Sequence, residues 1–202
     1  GCMSFSGVYG PSEDESAINL LHEAIDDGLD ALDSSDMYGW GHNEELLGKA
    51  LVGRRNKVVL ISKFGQVQNP DGGGNLVNGR PEYVYQACEA SLKRLNTDVI
   101  DLYFQHRIDP DVPIEETVGA MGRLIEQGKV RAIDVCEGNP ETIKRRNSSW
   151  KQNSHTFPRD STDSCDTETI VAVAQKSFIF PMRLQSASAT NGGQPRTVLG
   201  CG

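Results

Sequence analysis

The 202 residues of the chain lack the features that mark several common classes of non-enzymatic protein. No apolar run approaches the roughly 20 residues of a membrane-spanning helix, and the chain does not open with the charged and apolar segments of a signal peptide. Basic residues are outnumbered, with 20 Lys and Arg against 28 Asp and Glu, and the basic clusters, such as those at 54–55 and 144–146, are no longer than three residues. Because nucleic-acid binding needs clustered basic side chains, we expect no nucleic-acid partner, no membrane partner, and a soluble cytoplasmic protein.

The chain also has few cysteines, and they are scattered. No two of them form a C-x-x-C pair, and no histidine lies at metal-ligand spacing from them. An odd and dispersed set of this kind predicts reduced thiols, with neither a disulfide framework nor a metal site. The five positions are Cys2, Cys88, Cys136, Cys165 and Cys201.

Helix-like and strand-like segments alternate along residues 1–146. Ser12 and Glu15 have the spacing of a capping box, which predicts a first helix with Ser12 as its N-cap and an end at Gly28. Strands rich in β-branched and apolar residues are predicted to begin near positions 29, 57, 99 and 130, with one helix between successive strands. This succession predicts a parallel sheet, either open and doubly wound or closed into a barrel, and periodicity does not choose between them.

Residues 147–202 differ in character from the rest of the chain. Ser, Thr, Asn and Asp are abundant from 147 to 169 without helical or strand periodicity. The segment carries five basic and four acidic residues, so the net charge of −8 arises entirely from residues 1–146. We therefore predict a divergent tail joined to the preceding part near residue 146, with a frameshift, an unspliced intron or an alternative exon as its origin.

Four side chains useful for proton transfer lie at or after the predicted strands: Asp33, Tyr38, Lys63 and His106. In parallel β/α folds, ligands bind at the carboxyl ends of the strands. There, a buried ammonium is expected to lower the pKa of a nearby tyrosine, a carboxylate to hold the ammonium in place, and an imidazole to donate a hydrogen bond to a carbonyl oxygen. Taken singly, each residue also has a structural interpretation, as a strand-end carboxylate, packed aromatic, surface lysine or core histidine.

The order and spacing of several longer segments resemble the aldo-keto reductases, in particular a branch with long bacterial, fungal and plant members. The segments are Gly1-Cys2-Met3, 32–39 with 43–48, Ser62-Lys63-Phe64-Gly65, 91–95 with 98–103, 105–109 and 113–117. The resemblance covers residues 1 to about 146. It implies a (β/α)8 TIM barrel, of which strands two to five are clear, strand one is mostly missing, and strands six to eight are not recognisable.

The resemblance implies NADPH as cofactor, bound without a Rossmann phosphate loop, and the glycine run at 71–74 is accordingly predicted to be a flexible loop. It further implies that Tyr38 protonates a carbonyl oxygen, that Lys63 paired with Asp33 tunes Tyr38, and that His106 orients the substrate. The implied cofactor contacts are Cys2, Met3, Asp33, Cys136, Glu137 and Gln185. Trp40, with Tyr9, is a candidate for lining the substrate pocket beside Tyr38 and His106.

One motif departs from the family pattern. At strand five the family has Gly-Leu-Ser-Glu or a similar sequence, whereas this chain has Asp134-Val135-Cys136-Glu137. A thiol at Cys136 is a weaker hydrogen-bond partner for a carboxamide than a serine hydroxyl. A charge at Asp134 costs several kcal/mol if it is buried without a partner.

Two functions of different class are therefore expected from the sequence. One is an NADPH-dependent oxidoreductase that reduces small aldehydes, especially aromatic ones, and ketones. The other is a catalytically silent barrel fragment that serves at most as an interaction module. The oligomeric state stays open.

Overall fold

The computed structural model describes residues 1–7 and 10–136, together with positions 141 and 145. Four parallel strands form its main sheet: β1 (Ala31–Asp33), β2 (Val59–Phe64), β5 (Ile100–Gln105) and β6 (Val130–Val135). They lie side by side in the order β1-β2-β5-β6, which is their order along the chain. The predicted parallel sheet is thus confirmed, and this strand order is the one that successive β/α units produce.

Helices fill the connections between these strands. Helix α1 (Asp14–Asp26) precedes β1, α2 (His42–Ala50) joins β1 to β2, α3 (Pro81–Leu95) joins β2 to β5, and α4 (Ile114–Glu126) joins β5 to β6. Within the described ranges, none of these helices is long and apolar enough to cross a membrane.

The first helix begins one residue later than the sequence predicts. Glu13, with extended backbone angles, is the N-cap of α1, and no side chain caps the helix. The amide of Ala17 donates to the carbonyl oxygen of Glu13 at 3.0 Å, which places the first helical hydrogen bond after Ser12. The predicted capping box at Ser12 and Glu15 is therefore wrong, because a shift of one residue moves the hydroxyl out of register with the amides it was expected to cap.

The glycine run at 71–74 lies in the connection of a small antiparallel hairpin. Its strands are β3 (Gln66–Val67) and β4 (Leu76–Val77), and Gly72, Gly73 and Gly74 all have positive φ angles. The sequence predicted a loop without the hairpin around it, because strands of two residues are too short to show alternation.

The two faces of the main sheet have different neighbours. Leu60, Phe64 and Tyr103 belong to the large core cluster that includes the buried residues of the four helices. Because side chains alternate along a strand, Ile61 and Phe104 point to the opposite face, where they pack with Leu102 in a separate cluster. Asp33 is the register partner of Ile61, and Lys63 that of Phe104, so both lie on this second face, which is the inner face of a barrel.

Candidate active site

The carboxyl ends of three neighbouring strands bring the four candidate residues together. Asp33 is the last residue of β1, Lys63 is the penultimate residue of β2, and His106 directly follows β5. Tyr38 lies in the turn between β1 and α2. The strands end side by side because the sheet is parallel, and residues 70 positions apart in sequence therefore share one site.

Lys63 is the centre of this cluster. Only 7% of the residue is exposed, and its ammonium is directed to three oxygens. It donates to the carboxylate of Asp33, to the carbonyl oxygen of Ser34 at 2.8 Å and to the hydroxyl of Tyr38 at 3.5 Å. The ammonium also lies 5.2 Å from the centre of the Tyr38 ring. Asp33 compensates a charge that is otherwise buried, while 42% of its own side chain stays exposed.

Opposing effects act on the pKa of the Tyr38 hydroxyl. Burial raises the pKa of the hydroxyl above its ordinary value, and this effect exceeds the opposing effect of the Lys63 ammonium. The Asp33 carboxylate also raises the pKa. The Lys63 ammonium thus lowers the pKa of Tyr38 in the predicted direction, but burial outweighs it. Tyr38 keeps its proton at neutral pH, which is the state that a proton donor needs.

His106 is neutral at the same pH. Burial, reinforced by the positive charges of Lys63 and Arg107, lowers the pKa of the imidazole to about 4. Its ring meets the Tyr38 ring edge-on, with the two centres 5.9 Å apart and the planes at 84°. Nδ1 lies 3.0 Å from the Ser35 hydroxyl oxygen, and the backbone amide donates to Phe64 at 2.7 Å.

Two of the predicted cofactor residues lie beside this cluster. The amide of Cys2 donates to the carbonyl oxygen of Asp33 at 2.8 Å, which joins the first residues to the end of β1. Met3 follows it at the start of a short 3-10 helix. The Cys2 thiol is buried, which raises its pKa to about 11.

Cys136 follows β6 and reaches the same end of the sheet. Its amide donates to the carbonyl oxygen of Gln105 at 2.9 Å. Burial raises the pKa of its thiol to about 11, and Lys63 and Asp33 are among the charges that act on it. Asp134, the other departure from the family pattern, is half-buried, and its Oδ1 accepts from the Val135 amide at 2.8 Å. Asp134 is therefore neither fully buried nor fully exposed.

Trp40 lines a cavity to which the four residues do not contribute. It is 44% exposed and lines a cavity of about 370 Å³ together with Asp36, Tyr83, Gln86 and Arg94. None of the four candidate catalytic residues lines this cavity. Tyr9, Glu137 and Gln185, which were also predicted to contact ligands, lie outside the described residues.

Sequence reasoning missed a polar network that holds the site together. Asn43, at the start of α2, donates to the carbonyl oxygen of Cys2 at 2.7 Å and to the Ser6 hydroxyl at 2.9 Å. It also accepts from the Ser34 hydroxyl at 2.7 Å. Asn43 therefore ties the first residues to the turn that carries Tyr38. Its position directly before the acidic start of a helix was the available signal, but its partners are set by the tertiary fold.

A second network fixes the helices behind the site. Glu44 is fully buried and accepts from the Ser62 hydroxyl on β2 and from the guanidinium of Arg94 on α3. The hydroxyl and the guanidinium give this buried carboxylate one partner for each of its oxygens. It connects α2 to the strand that carries Lys63. No group of side chains suited to bind a metal ion occurs among the residues that the structure describes.

The fold agrees with the comparisons to known proteins. The sequence profile of the aldo/keto reductase family matches residues 1–157, beyond the boundary near 146. The chain belongs to this family, and its sheet and helices are part of the family's TIM barrel.

Among its relatives, the NADP(+) aldo-keto reductase yakc of Schizosaccharomyces pombe is 44% identical over 147 residues, which are 72% of this chain and 43% of the relative. Aldo-keto reductase AKR11C1 from Bacillus halodurans, in its holo form, is 33% identical with a TM-score of 0.63, covering 77% of this chain and 49% of that one. An aldo/keto reductase from Klebsiella pneumoniae in complex with NADP and acetate is 34% identical with a TM-score of 0.54, covering 65% of this chain and 42% of that one. The chain thus spans less than half the length of these relatives.

Proposed function

We propose that the protein reduces aldehydes and ketones to alcohols with NADPH, and that Tyr38 provides the proton. The observation that carries this proposal is the convergence of a protonated tyrosine, a buried ammonium and a neutral imidazole at one end of the sheet. The Tyr38 hydroxyl is 3.5 Å from Lys63, and its ring is 5.9 Å from that of His106. A carbonyl oxygen placed between Tyr38 and His106 receives hydrogen bonds from both side chains.

The charges around Tyr38 favour proton donation at the moment of reaction. When Tyr38 releases its proton to the carbonyl oxygen, the phenolate that forms lies beside the Lys63 ammonium. The ammonium is already in place and loses no water in the step, so the stabilisation requires no reorganisation. Asp33 holds Lys63 in this orientation, since its carboxylate accepts from the same ammonium. His106 holds the carbonyl oxygen by donating a hydrogen bond to it.

The described residues fit the nicotinamide end of NADPH, the cofactor that the family implies and that supplies the hydride when bound. Asp33 has one oxygen held by Lys63 and a side chain that is 42% exposed, so it can still accept from a ribose hydroxyl. The amide of Cys2 donates to the backbone carbonyl oxygen of Asp33, and Met3 follows Cys2 in the chain. Cys136 offers the cofactor a thiol where the family has a serine. Glu137 and Gln185 stay predictions as further contacts.

Replacement of Tyr38 by phenylalanine tests the proton donor. We expect Tyr38→Phe to lower kcat/KM by a factor on the order of 10²–10⁴, the usual contribution of a positioned general acid. Turnover is measured as NADPH oxidation with an aromatic aldehyde, and cofactor binding is measured separately by isothermal titration. Tyr83→Phe also removes a tyrosine hydroxyl, but from a residue that lines the cavity beside Trp40, and it serves as the matched control.

Two outcomes contradict parts of this proposal. Unchanged activity in Tyr38→Phe rejects this residue as the proton donor. Absence of both turnover and NADPH binding in the unaltered protein favours the alternative, a silent interaction module with this fold.

The two-part organisation with a tail from 147 to 202 also stays a prediction, and sequencing of the transcript across the codon for Arg146 tests it. One continuous and correctly spliced frame there would reject a frameshift or a retained intron.

A further inference from the structure

Ser35 contacts the candidate site through a single buried hydroxyl. The residue follows Ser34 in the turn after β1 and is fully buried. Its hydroxyl oxygen lies 3.0 Å from Nδ1 of His106. Three other polar groups are farther away: the hydroxyl can also donate to the carbonyl oxygen of Lys63 at 3.4 Å or to Oδ1 of Asp36 at 3.3 Å, and the amide of Met37 donates to the hydroxyl oxygen at 3.4 Å.

The direction of the hydrogen bond between Ser35 and His106 determines which ring nitrogen is protonated. A neutral imidazole carries one N–H, on either Nδ1 or Nε2. If Ser35 donates to Nδ1, the imidazole hydrogen lies on Nε2. If Nδ1–H donates to Ser35 instead, Nε2 has only a lone pair and repels the carbonyl oxygen that it is meant to hold.

The surroundings of the hydroxyl favour one direction. The amide of Met37 donates to the Ser35 oxygen and occupies one of its two lone pairs. The hydroxyl has a single hydrogen, and Nδ1 at 3.0 Å is closer than either oxygen acceptor. Within the described part of the chain, Nε2 of His106 has no hydrogen-bond partner, which leaves this nitrogen to a ligand.

We propose that Ser35 is a positioning residue that donates to Nδ1 and thereby holds His106 as the Nε2–H tautomer. The catalytic consequence rests on the proposed function above, because it assumes a carbonyl oxygen at Nε2. The tautomer itself does not depend on that function. Ser35 transfers no proton in this scheme and acts only through the imidazole.

Nitrogen-15 NMR of the imidazole at neutral pH tests the proposal on the cofactor-free protein. We expect a protonated Nε2 and an unprotonated Nδ1 in the unaltered chain. Ser35→Ala removes the donor, and the ratio of the tautomers is expected to shift by roughly fivefold towards Nδ1–H, the value of one ordinary hydrogen bond. Ser35→Thr keeps a hydroxyl and is expected to keep the original ratio. Ser91→Ala removes a buried hydroxyl on α3, away from the site, as the matched control.

Kinetics provide the second measurement. Ser35→Ala is expected to lower kcat by at most about fivefold, in proportion to the lost Nε2–H population and with less change in KM, and Ser35→Thr is expected to restore it. An unprotonated Nε2 in the unaltered protein overturns the proposal. Because this NMR spectrum is recorded on the unaltered protein, it tests the proposal even if Ser35→Ala does not fold. A tautomer ratio that stays the same in Ser35→Ala overturns it too. If the tautomer shifts as expected but no variant reduces a carbonyl compound, the positioning role stands and the proposed function fails.

Discussion

Replacement of Lys63 by methionine isolates the electrostatic part of the proposed mechanism. Methionine has a similar length and no charge, so the variant removes the ammonium 3.5 Å from the Tyr38 hydroxyl and little volume. At an effective dielectric constant of about 20, two unit charges at this distance attract each other by about 5 kcal/mol. A phenolate that carries about half a charge in the transition state loses about 2.4 kcal/mol, which corresponds to a decrease of roughly 50-fold in kcat/KM.

The pH profile of the same variant provides an independent check. The Lys63 ammonium lowers the pKa of Tyr38, and burial and Asp33 raise it. Removal of the ammonium therefore raises this pKa further. Because the protonated tyrosine is the active form in reduction, activity declines as pH rises through its pKa. The alkaline limb of the profile is expected to move to higher pH in Lys63→Met.

The assay is steady-state NADPH oxidation with an aromatic aldehyde over a range of pH, with circular dichroism and urea unfolding to verify the fold. Lys57→Met serves as the control, because Lys57 pairs with Asp26 at the surface and its side chain is 50% exposed. A folded Lys63→Met protein with kcat/KM within threefold of the unaltered enzyme and an unshifted alkaline limb refutes the electrostatic role of Lys63.

Two further predictions concern stability. His106 has an ordinary pKa of 6.5 that burial lowers to about 4, so the unfolded chain binds more protons than the folded one between these values. The contribution of His106 to stability is complete above about pH 6.5 and is lost as pH falls towards 4. Urea unfolding at several pH values is expected to show that the free energy of unfolding declines less steeply with falling pH in His106→Gln. An unchanged slope contradicts the assigned pKa. Gly48→Ala is expected to destabilise the protein by about 2 kcal/mol or more, because its new Cβ would lie 2.4 Å from the carbonyl oxygen of Arg94 where α2 meets α3. Gly119→Ala on α4, where nothing lies within 4 Å, is expected to stabilise by about 0.5–1 kcal/mol, and equal effects at the two glycines would reject the packing argument.

The elements of the main sheet were largely predictable from the sequence because each has a strong local signal. The strand predicted to begin near position 130 begins at Val130, and the helix predicted between the second and third strands of the sheet is present as Pro81–Leu95. The strand predicted to begin at Lys57 in fact begins at Val59, so Lys63 lies within it and not after it. Ends of buried strands are hard to predict, since a continuous apolar run shows no alternation that would mark where pairing starts.

The sequence by itself determined the alternation of strands and helices, the family resemblance and the four side chains that follow the strands. These features depend on local propensity, on periodicity and on residue spacing, all of which can be read along one chain. The tertiary structure alone decided the net direction of the Tyr38 pKa, the contact between Ser35 and His106, and the placement of Trp40 in a cavity that the four catalytic candidates do not line. Burial, distance and hydrogen-bond direction decide these points, and each depends on groups that are distant in sequence and adjacent only after the sheet has formed.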